Sequence, residues 1–364
     1  RLRDLFSERG VTNVSLSRVG CAGKCDMEPV VTVISRGQIP TKYILMDPKR
    51  AERVFEEHIL GGKIVAEYSM RHVTGEGECE RIVCLCGGSS CPRGSACDVE
   101  DAFRDEIEKN HLADKIAITI SACRGLCEEG PEAFVYPDDI GYFNLTPDAA
   151  RRIVREHFVD GKPVAKYAGA RDRIANRFFP VFGDVEYFGK QLRLTLRNCG
   201  LIDPENIDEY LAVRGYEAAA KVFQEMKPSD VVDCVTASLL RGRGGGGYPT
   251  GLKWKHGASS PGEVKYIICN ADEGDPGAFM DRSTIEGDPH SVIEGMIIGS
   301  YAIGARKGFV YIRAEYPLAI SRLETAIDAA RERGFLGKNI LGSGWDFDLE
   351  IRLGAGAFVC GEET

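Results

Sequence analysis

Residues 116–131 read Ile116-Ala-Ile-Thr-Ile-Ser-Ala-Cys123-Arg-Gly-Leu-Cys127-Glu-Glu-Gly-Pro131, an apolar run that delivers two cysteines into a glycine-bearing loop. Earlier in the chain, Val14-Ser-Leu-Ser-Arg-Val-Gly-Cys21-Ala-Gly-Lys-Cys25-Asp-Met-Glu-Pro29 has the same layout. A strand pattern follows each, Val30 to Ser35 and Ala133 to Pro137. A helix comes next, opened by a capping residue with proline at the first position, Asp47-Pro48 and Thr146-Pro147. Matching turns, Glu57-His58-Ile-Leu-Gly-Gly-Lys63 and Glu156-His157-Phe-Val-Asp-Gly-Lys162, stop the two helices on glycine. The order predicts a small α/β module present twice.

The helix–strand–Cys–strand–helix order predicts a thioredoxin-like shape for the module, and its cysteines point to metal. The chain has 13 Cys, and nine of them fall at or before Cys127. Clustered cysteines in a long chain with an odd total and no signal-peptide pattern fit a disulfide scaffold poorly. Cys-x-x-Cys, which zinc ribbons and thiol oxidoreductases want, does not occur. Instead Cys86-Gly-Gly-Ser-Ser-Cys91 and Cys123-Arg-Gly-Leu-Cys127 supply four thiolates in two loop-borne pairs, which suits a 2Fe–2S cluster. Gly87, Gly88 and Gly125 let backbone N–H groups approach the sulfurs. Cys84 could replace Cys86, but Arg81-Ile-Val-Cys84-Leu reads as a buried strand with the ligand loop after it. Cys79, Cys84, Cys97, Cys199 and Cys234 read as packing residues.

In the second copy Cys91 precedes Cys123 by 32 residues, and the same spacing from Cys21 falls before Arg1. The sequence is therefore expected to start inside a domain. Cys21 and Cys25 belong either to a second cluster or to a relic site.

Composition narrows the function classes. The 364 residues are 43% hydrophobic and 28% charged, with a net charge of −9, so the chain is globular and acidic. Sequence-independent nucleic-acid binding needs a basic field. No run of about 18 apolar residues offers a membrane span. A cytoplasmic location is expected. The stretch from about Ala165 to Gly200 is basic and aromatic, and in an acidic chain it reads as a linker that docks on the next domain.

Beyond it, helical patterns run over Ile207 to Arg214, Tyr216 to Met226 and Pro228 to Leu240, the last capped by Ser229. Then comes Arg241-Gly-Arg-Gly-Gly-Gly-Gly-Tyr-Pro-Thr-Gly-Leu-Lys-Trp254. The literal Gly-x-Gly-x-x-Gly in it fails as a Rossmann fingerprint, because a helix rather than a strand precedes it. It still has the makings of a phosphate cradle, with free backbone N–H groups beside Arg243 and Lys253. Lys265 to Cys269 reads as a buried strand that delivers Asn270-Ala-Asp-Glu-Gly-Asp-Pro-Gly-Ala-Phe-Met-Asp-Arg282 at its carboxyl end, where α/β sheets bind ligands. Its carboxylates suit ribose or ribityl hydroxyls better than a cation, since EF-hand spacing is absent. Helix, strand, helix and strand follow, over Ser291 to Ile303, Phe309 to Arg313, Ser321 to Gly334 and Asp346 to Leu353. A last glycine loop, Gly354 to Thr364, ends the sequence.

Arg241 to Trp254, Asn270 to Arg282 and Gly354 to Thr364, in that order, resemble the NADH-binding FMN flavoprotein subunit of the complex I type. The chain is most similar to its soluble relatives in electron-bifurcating hydrogenases and NAD-linked formate dehydrogenases. The resemblance implies an α/β chain of tandem thioredoxin-like ferredoxin modules, the first incomplete, followed by an FMN/NADH-binding α/β domain. The expected boundaries are 1–70 for the incomplete module, 71–166 for the 2Fe–2S module, 167–200 for the linker and 201–364 for the FMN/NAD(H) domain, truncated at its C-terminus. FMN is implied at Gly242, Arg243, Gly244, Lys253, Asn270, Asp272, Gly361 and Glu362, and NAD(H) or NADP(H) near Tyr248, Glu273, Asp275 and Glu363. Hydride transfer would run between nicotinamide and flavin, with no side chain as nucleophile and with Glu273 and Glu363 positioning. The 2Fe–2S cluster would sit on Cys86, Cys91, Cys123 and Cys127, and a 4Fe–4S motif is expected beyond Thr364. Partners would be other iron–sulfur and redox subunits of a multi-subunit complex. His256 stands two past Trp254 where the family has Phe, Phe358 replaces a Tyr, and Asp275 stands where Glu is common. These departures leave NADH or NADPH open. Two other readings compete: a scaffold or electron-transfer subunit that has lost its flavin, and a thiol oxidoreductase fused to a sugar-phosphate-binding domain. The intact loops argue against the first and the missing Cys-x-x-Cys against the second.

Overall fold

The computed structural model describes residues 1–18, 26–70, 79–86, 96–121, 131–169, 194–275 and 278–355. Two compact units divide the chain, with the main boundary between Arg197 and Asn198, inside the predicted linker.

In the first unit the repeat is visible bond by bond. The first copy has α1 (Leu2–Glu8), β1 (Val31–Val33), β2 (Thr41–Tyr43) and α2 (Pro48–Val54), which runs on into a π-helical turn, Phe55–Leu60. The second has β3 (Arg81–Cys86), α3 (Ala96–Lys109), β4 (Ile116–Ser121), β5 (Ala133–Tyr136), β6 (Ile140–Tyr142), α4 (Pro147–Ile153) with a π-turn at Val154–Val159, and β7 (Ala168–Gly169). β1 pairs antiparallel to β2 with Val31 opposite Tyr43, and β5 pairs with β6 with Ala133 opposite Tyr142. Both predicted caps form: Asp47 accepts from Arg50 N and Thr146 from Ala149 N. The helices close on Gly62 and Gly161 at φ 69° and 70°, a left-handed conformation that glycine adopts without strain. There Lys63 N donates to Glu57 O and Lys162 N to Glu156 O, each at 2.8 Å. That closure spans one residue more than a Schellman motif, as the wider π-turn requires.

The second copy builds a five-stranded sheet in the order β4-β3-β5-β6-β7. β3 and β4 are parallel and the other pairings antiparallel, which is the thioredoxin-like arrangement. Its core gathers Val83, Leu85, Phe103, Val135, Tyr142, Leu145, Ile153 and Phe158. Ile82 to Leu85 of β3 are buried as predicted, with Cys84 5% exposed.

The second unit carries α5 (Ile207–Ala212), α6 (Glu217–Glu225), α7 (Pro228–Ala237), α8 (Thr250–Ser259), β8 (Tyr266–Ala271), α9 (Met280–Gly287), α10 (Pro289–Ile303), β9 (Lys307–Arg313), α11 (Pro317–Glu332) and β10 (Asp348–Gly354). β8, β9 and β10 form a parallel sheet in the order β10-β9-β8. The predicted Ser229 cap gives way to Lys227, whose N–H donates to the Asp230 carboxylate at 3.0 Å. The expectation that β8 is fully buried also changes. Ala271 faces the core, but Tyr266 is 52% and Ile268 65% exposed. The strand order advances in one direction, so right-handed crossovers carry α10 and α11 over the same face and leave the other face open among the described residues. No described helix is long and apolar enough to cross a membrane.

Candidate functional site

The described parts of the predicted ligand loops converge on one edge of the β8–β10 sheet. β8 ends by delivering Asn270, Asp272 and Glu273, β9 delivers Arg313, Glu315 and Tyr316, and β10 ends at Gly354. Parallel strands present these tips side by side, at the edge where such sheets bind ligands. The tips touch. A Cβ built on Gly354 would lie 3.0 Å from Asp272 Oδ1 and 3.3 Å from the Tyr311 ring, so glycine allows the close approach of β10 to the acidic loop.

The glycine loop reaches the same edge through α8. Gly299 of α10 faces Trp254 and Ile303 of α10 faces Gly257, so α8 and α10 run in the same direction. α10 starts at the carboxyl edge of the sheet and ends near the start of β9; α8 therefore starts at that edge too, with residues 241–249 in front of it. Inside the loop Gly242 N donates to Tyr248 O at 2.9 Å, and Thr250 N to Leu240 O at 2.8 Å. The Arg241 guanidinium donates to Gly247 O at 3.1 Å. Gly245 and Gly247 hold φ of 104° and 61°. Among the described residues, no atom lies within 4 Å of where a Cβ would sit on Gly244, Gly245 or Gly247. The backbone is thus bare on its outer side, and Arg243 and Lys253 are exposed beside it. Lys253 Nζ lies 5.7 Å from the Tyr248 ring, which brings two predicted binding residues together. Open amides, a helix N-terminus and two cations are a donor set that fits a phosphate-bearing cofactor. The predicted helix before the loop is present as α7, and Gly251 packs so tightly on it that a Cβ would fall 2.5 Å from Thr236 N.

The acidic loop is built by its own hydrogen bonds. Asn270 Oδ1 accepts from Asp272 N at 3.0 Å. Asp275 is exposed. Glu273 is only 7% exposed, and its carboxylate accepts from Met280 N at 2.5 Å, Asp281 N at 3.3 Å and Arg282 N at 3.3 Å. It therefore caps α9 across a loop, and Tyr316 OH donates to it at 3.3 Å. Local sequence could not show this, since the cap lies seven residues before the helix it serves. Beside this carboxylate, burial chiefly and the Glu273 charge push the Asp281 carboxyl up to about 6. Burial pushes the Cys269 thiol up to about 12, which makes it an inert wall of the sheet.

Cys91, Cys123, Cys127, Cys21, Cys25, Gly361, Glu362 and Glu363 lie outside the described residues, as does the Cys86 side chain; the Cys86 backbone ends β3, where a ligand loop was expected. Cys79 Sγ donates to Arg81 O at 2.7 Å, and Cys84 and Cys199 are buried, as packing residues would be. Cys97 and Cys234 are exposed, which corrects their reading as packers: each sits on the outer side of an amphipathic helix.

Residues 235–364 match the family described as the Nuo51 FMN-binding domain. The chain is 66% identical over 175 residues to the NADP-reducing hydrogenase subunit HndC of Solidesulfovibrio fructosivorans, covering 48% of this chain and 35% of that one. It is 51% identical over 178 residues to an NADH-quinone oxidoreductase subunit of Aquifex aeolicus, covering 49% and 41%. The chain thus spans well under half the length of these curated relatives. Among solved structures, an NAD+-reducing [NiFe]-hydrogenase in the H2-reduced state aligns over 87% of this chain and 51% of its own at 22% identity, with a TM-score of 0.37. A thioredoxin-like [2Fe-2S] ferredoxin from Aquifex aeolicus aligns over 26% and 99% at 25% identity, with a TM-score of 0.23.

Proposed function

We propose that this chain is part of a flavin- and iron–sulfur-containing NAD(P)H dehydrogenase subunit that exchanges electrons with partner redox subunits. One observation carries the reading: the stretch that matches the FMN-binding family contains the bare glycine loop and the acidic loop, and both lie at one carboxyl edge of a parallel sheet. FMN bound there would accept or return a hydride from a nicotinamide and pass electrons on singly. The chain's own residues hold and orient. The Gly244 amide, with Arg243 and Lys253, takes the phosphate beside the turn that Gly242 closes on Tyr248, and Asn270 and Asp272 take ribityl hydroxyls. Tyr248 and Asp275 lie toward the dinucleotide, with Gly361, Glu362 and Glu363 completing the site. Cys86, Cys91, Cys123 and Cys127 hold a 2Fe–2S cluster in the second module. Domains at 1–70, 71–166 and 201–364 with a linker at 167–200 suit that division of labour.

The finer reading is a cytoplasmic assembly of the hydrogenase or formate dehydrogenase kind, with electron bifurcation as its widest form. The 66% identity to a subunit of an NADP-reducing hydrogenase supports the hydrogenase side of it. The test is an absorption spectrum of the purified complex, followed by EPR after NADH or NADPH. A flavin band bleached by either nucleotide and a reduced-cluster signal are expected. A complex with no flavin band, or with no reducible cluster, would sink the proposal.

A further inference from the structure

We infer that Arg313 is the positioning residue of the flavin edge, holding the acidic loop at the height its ligand needs; the inference rests on the flavin reading above. Arg313 ends β9, the central strand, on the same face of the sheet as Phe309 and Tyr311. Its Nη1 donates to the backbone carbonyl of Glu273 at 2.5 Å. Its Nη2 pairs with Glu315 at 3.2 Å, and the guanidinium lies 5.5 Å from the Tyr316 ring centroid. The side chain is 17% exposed, and Nε is buried with no partner among the described residues.

The loop has few other anchors on that side among the described residues. Asp272 turns back on Asn270 and fits against Gly354, while the Glu273 carboxylate is committed to the α9 amides and Tyr316. The Glu273 carbonyl is the point where the loop backbone is tied to the neighbouring strand, and one planar, always-charged fork makes that tie while engaging Glu315 and Tyr316. Glu273 thus fixes the loop to α9, and Arg313 fixes it to β9. Both ties are made at Glu273, directly after Asp272, whose carboxylate faces the glycine end of β10. Arg313 touches no ligand in this scheme; it acts through Asp272.

A second arginine supplies the comparison. Arg331 donates to Leu349 O at 2.8 Å and pairs with Asp348 at 3.0 Å. It makes the same kind of backbone tie, at the opposite edge of the sheet, where β10 begins. Replacing Arg313 removes one carbonyl bond and one ion pair, and replacing Arg331 removes one carbonyl bond and two ion pairs, with Asp348 and Asp328, so a purely structural role predicts an effect at Arg331 at least as large.

The experiment titrates FMN into deflavinated full-chain complex, reading flavin fluorescence, for wild type, Arg313→Met, Arg313→Lys and Arg331→Met, with a thermal melt of each. Arg313→Met is expected to raise the FMN dissociation constant about tenfold, the scale of one lost hydrogen bond to a charged donor. Arg313→Lys, which keeps the charge and one donor, should fall between it and wild type. Arg331→Met should change the constant less than about twofold at a comparable loss of melting temperature. Equal FMN constants for Arg313→Met and Arg331→Met, or no loss in either Arg313 variant, overturn the assignment while leaving the flavin reading intact. If Arg313→Met does not fold, Arg313→Lys decides alone, by the same comparison with Arg331→Met. Wild-type complex that takes up no FMN overturns both.

Discussion

Asp281 is the second residue of α9 and lies beside the buried Glu273 carboxylate, so its charge is opposed by burial and by a like charge. Its carboxyl titrates near 6 in the folded chain against an ordinary 3.8. The folded state therefore binds the extra proton between those values, and stability falls as pH rises from about 4 to about 6. At neutral pH the ionised group costs about 1–2 kcal/mol after allowance for its partial exposure. Asp281→Asn should raise the thermal midpoint at pH 7 and leave it unchanged below about pH 4, where both forms are neutral. A variant less stable than wild type at pH 7 would refute this. Glu273 differs from Asp281 in that its carboxylate accepts from three backbone N–H groups. Two carboxylates eight residues apart thus have opposite roles, one a cap and the other a tolerated strain.

At the scale of elements, the repeated module stands on a repeated hydrogen bond. Tyr43 OH meets His58 Nδ1 at 2.6 Å and accepts from Val65 N at 3.2 Å. Tyr142 OH meets His157 Nδ1 at 2.9 Å and accepts from Val164 N at 3.3 Å. In each copy a fully buried tyrosine on the hairpin ties the π-turn to the segment after it. Tyr43→Phe and Tyr142→Phe would each orphan a buried N–H and a ring nitrogen. Each should cost about 1–3 kcal/mol in urea unfolding. A cost below about 0.5 kcal/mol in either copy would mean water replaces the hydroxyl. The caps, glycine stops and element order of these modules were legible because they are local: a capping residue before proline and a glycine at positive φ announce themselves within a few residues. The π-turns and tyrosine–histidine ties were not. They depend on partners about 15 to 22 residues away, which no short-range pattern carries.

Across the whole molecule, the buried histidines set the response to acid. Burial holds His58 and His157 below the ordinary imidazole range, and it holds His290 down to about 4. His290 is fully buried in the second unit, with Nδ1 on Tyr216 OH at 2.9 Å and Tyr210 stacked on its ring. A depressed pKa gives stability that is complete above about 6.5 and is lost as pH falls through about 4. For His290 the loss approaches about 3 kcal/mol. His290→Gln, which can still accept from Tyr216, should flatten the urea midpoint between pH 6.5 and 4; an unchanged slope would refute the assignment. At this scale the order of β–α elements and the meeting of two ligand loops were readable from sequence, because strand polarity alone sends both to one edge. The one-sided burial of β8 was not, because it follows from which face the crossovers take. Nor was Glu273's capping of α9, which an exposed-looking acidic run conceals. The two modules also differ at one point that turns duplication into an instrument. His58 Nε2 faces the neutral Gln38 amide at 3.4 Å, whereas His157 Nε2 faces the Asp138 carboxylate at 3.6 Å. One chain thus holds the same histidine twice, once beside an Asp138–Arg81 ion pair and once without one, so that a single NMR titration measures the difference that pair makes, with the fold itself as the matched control.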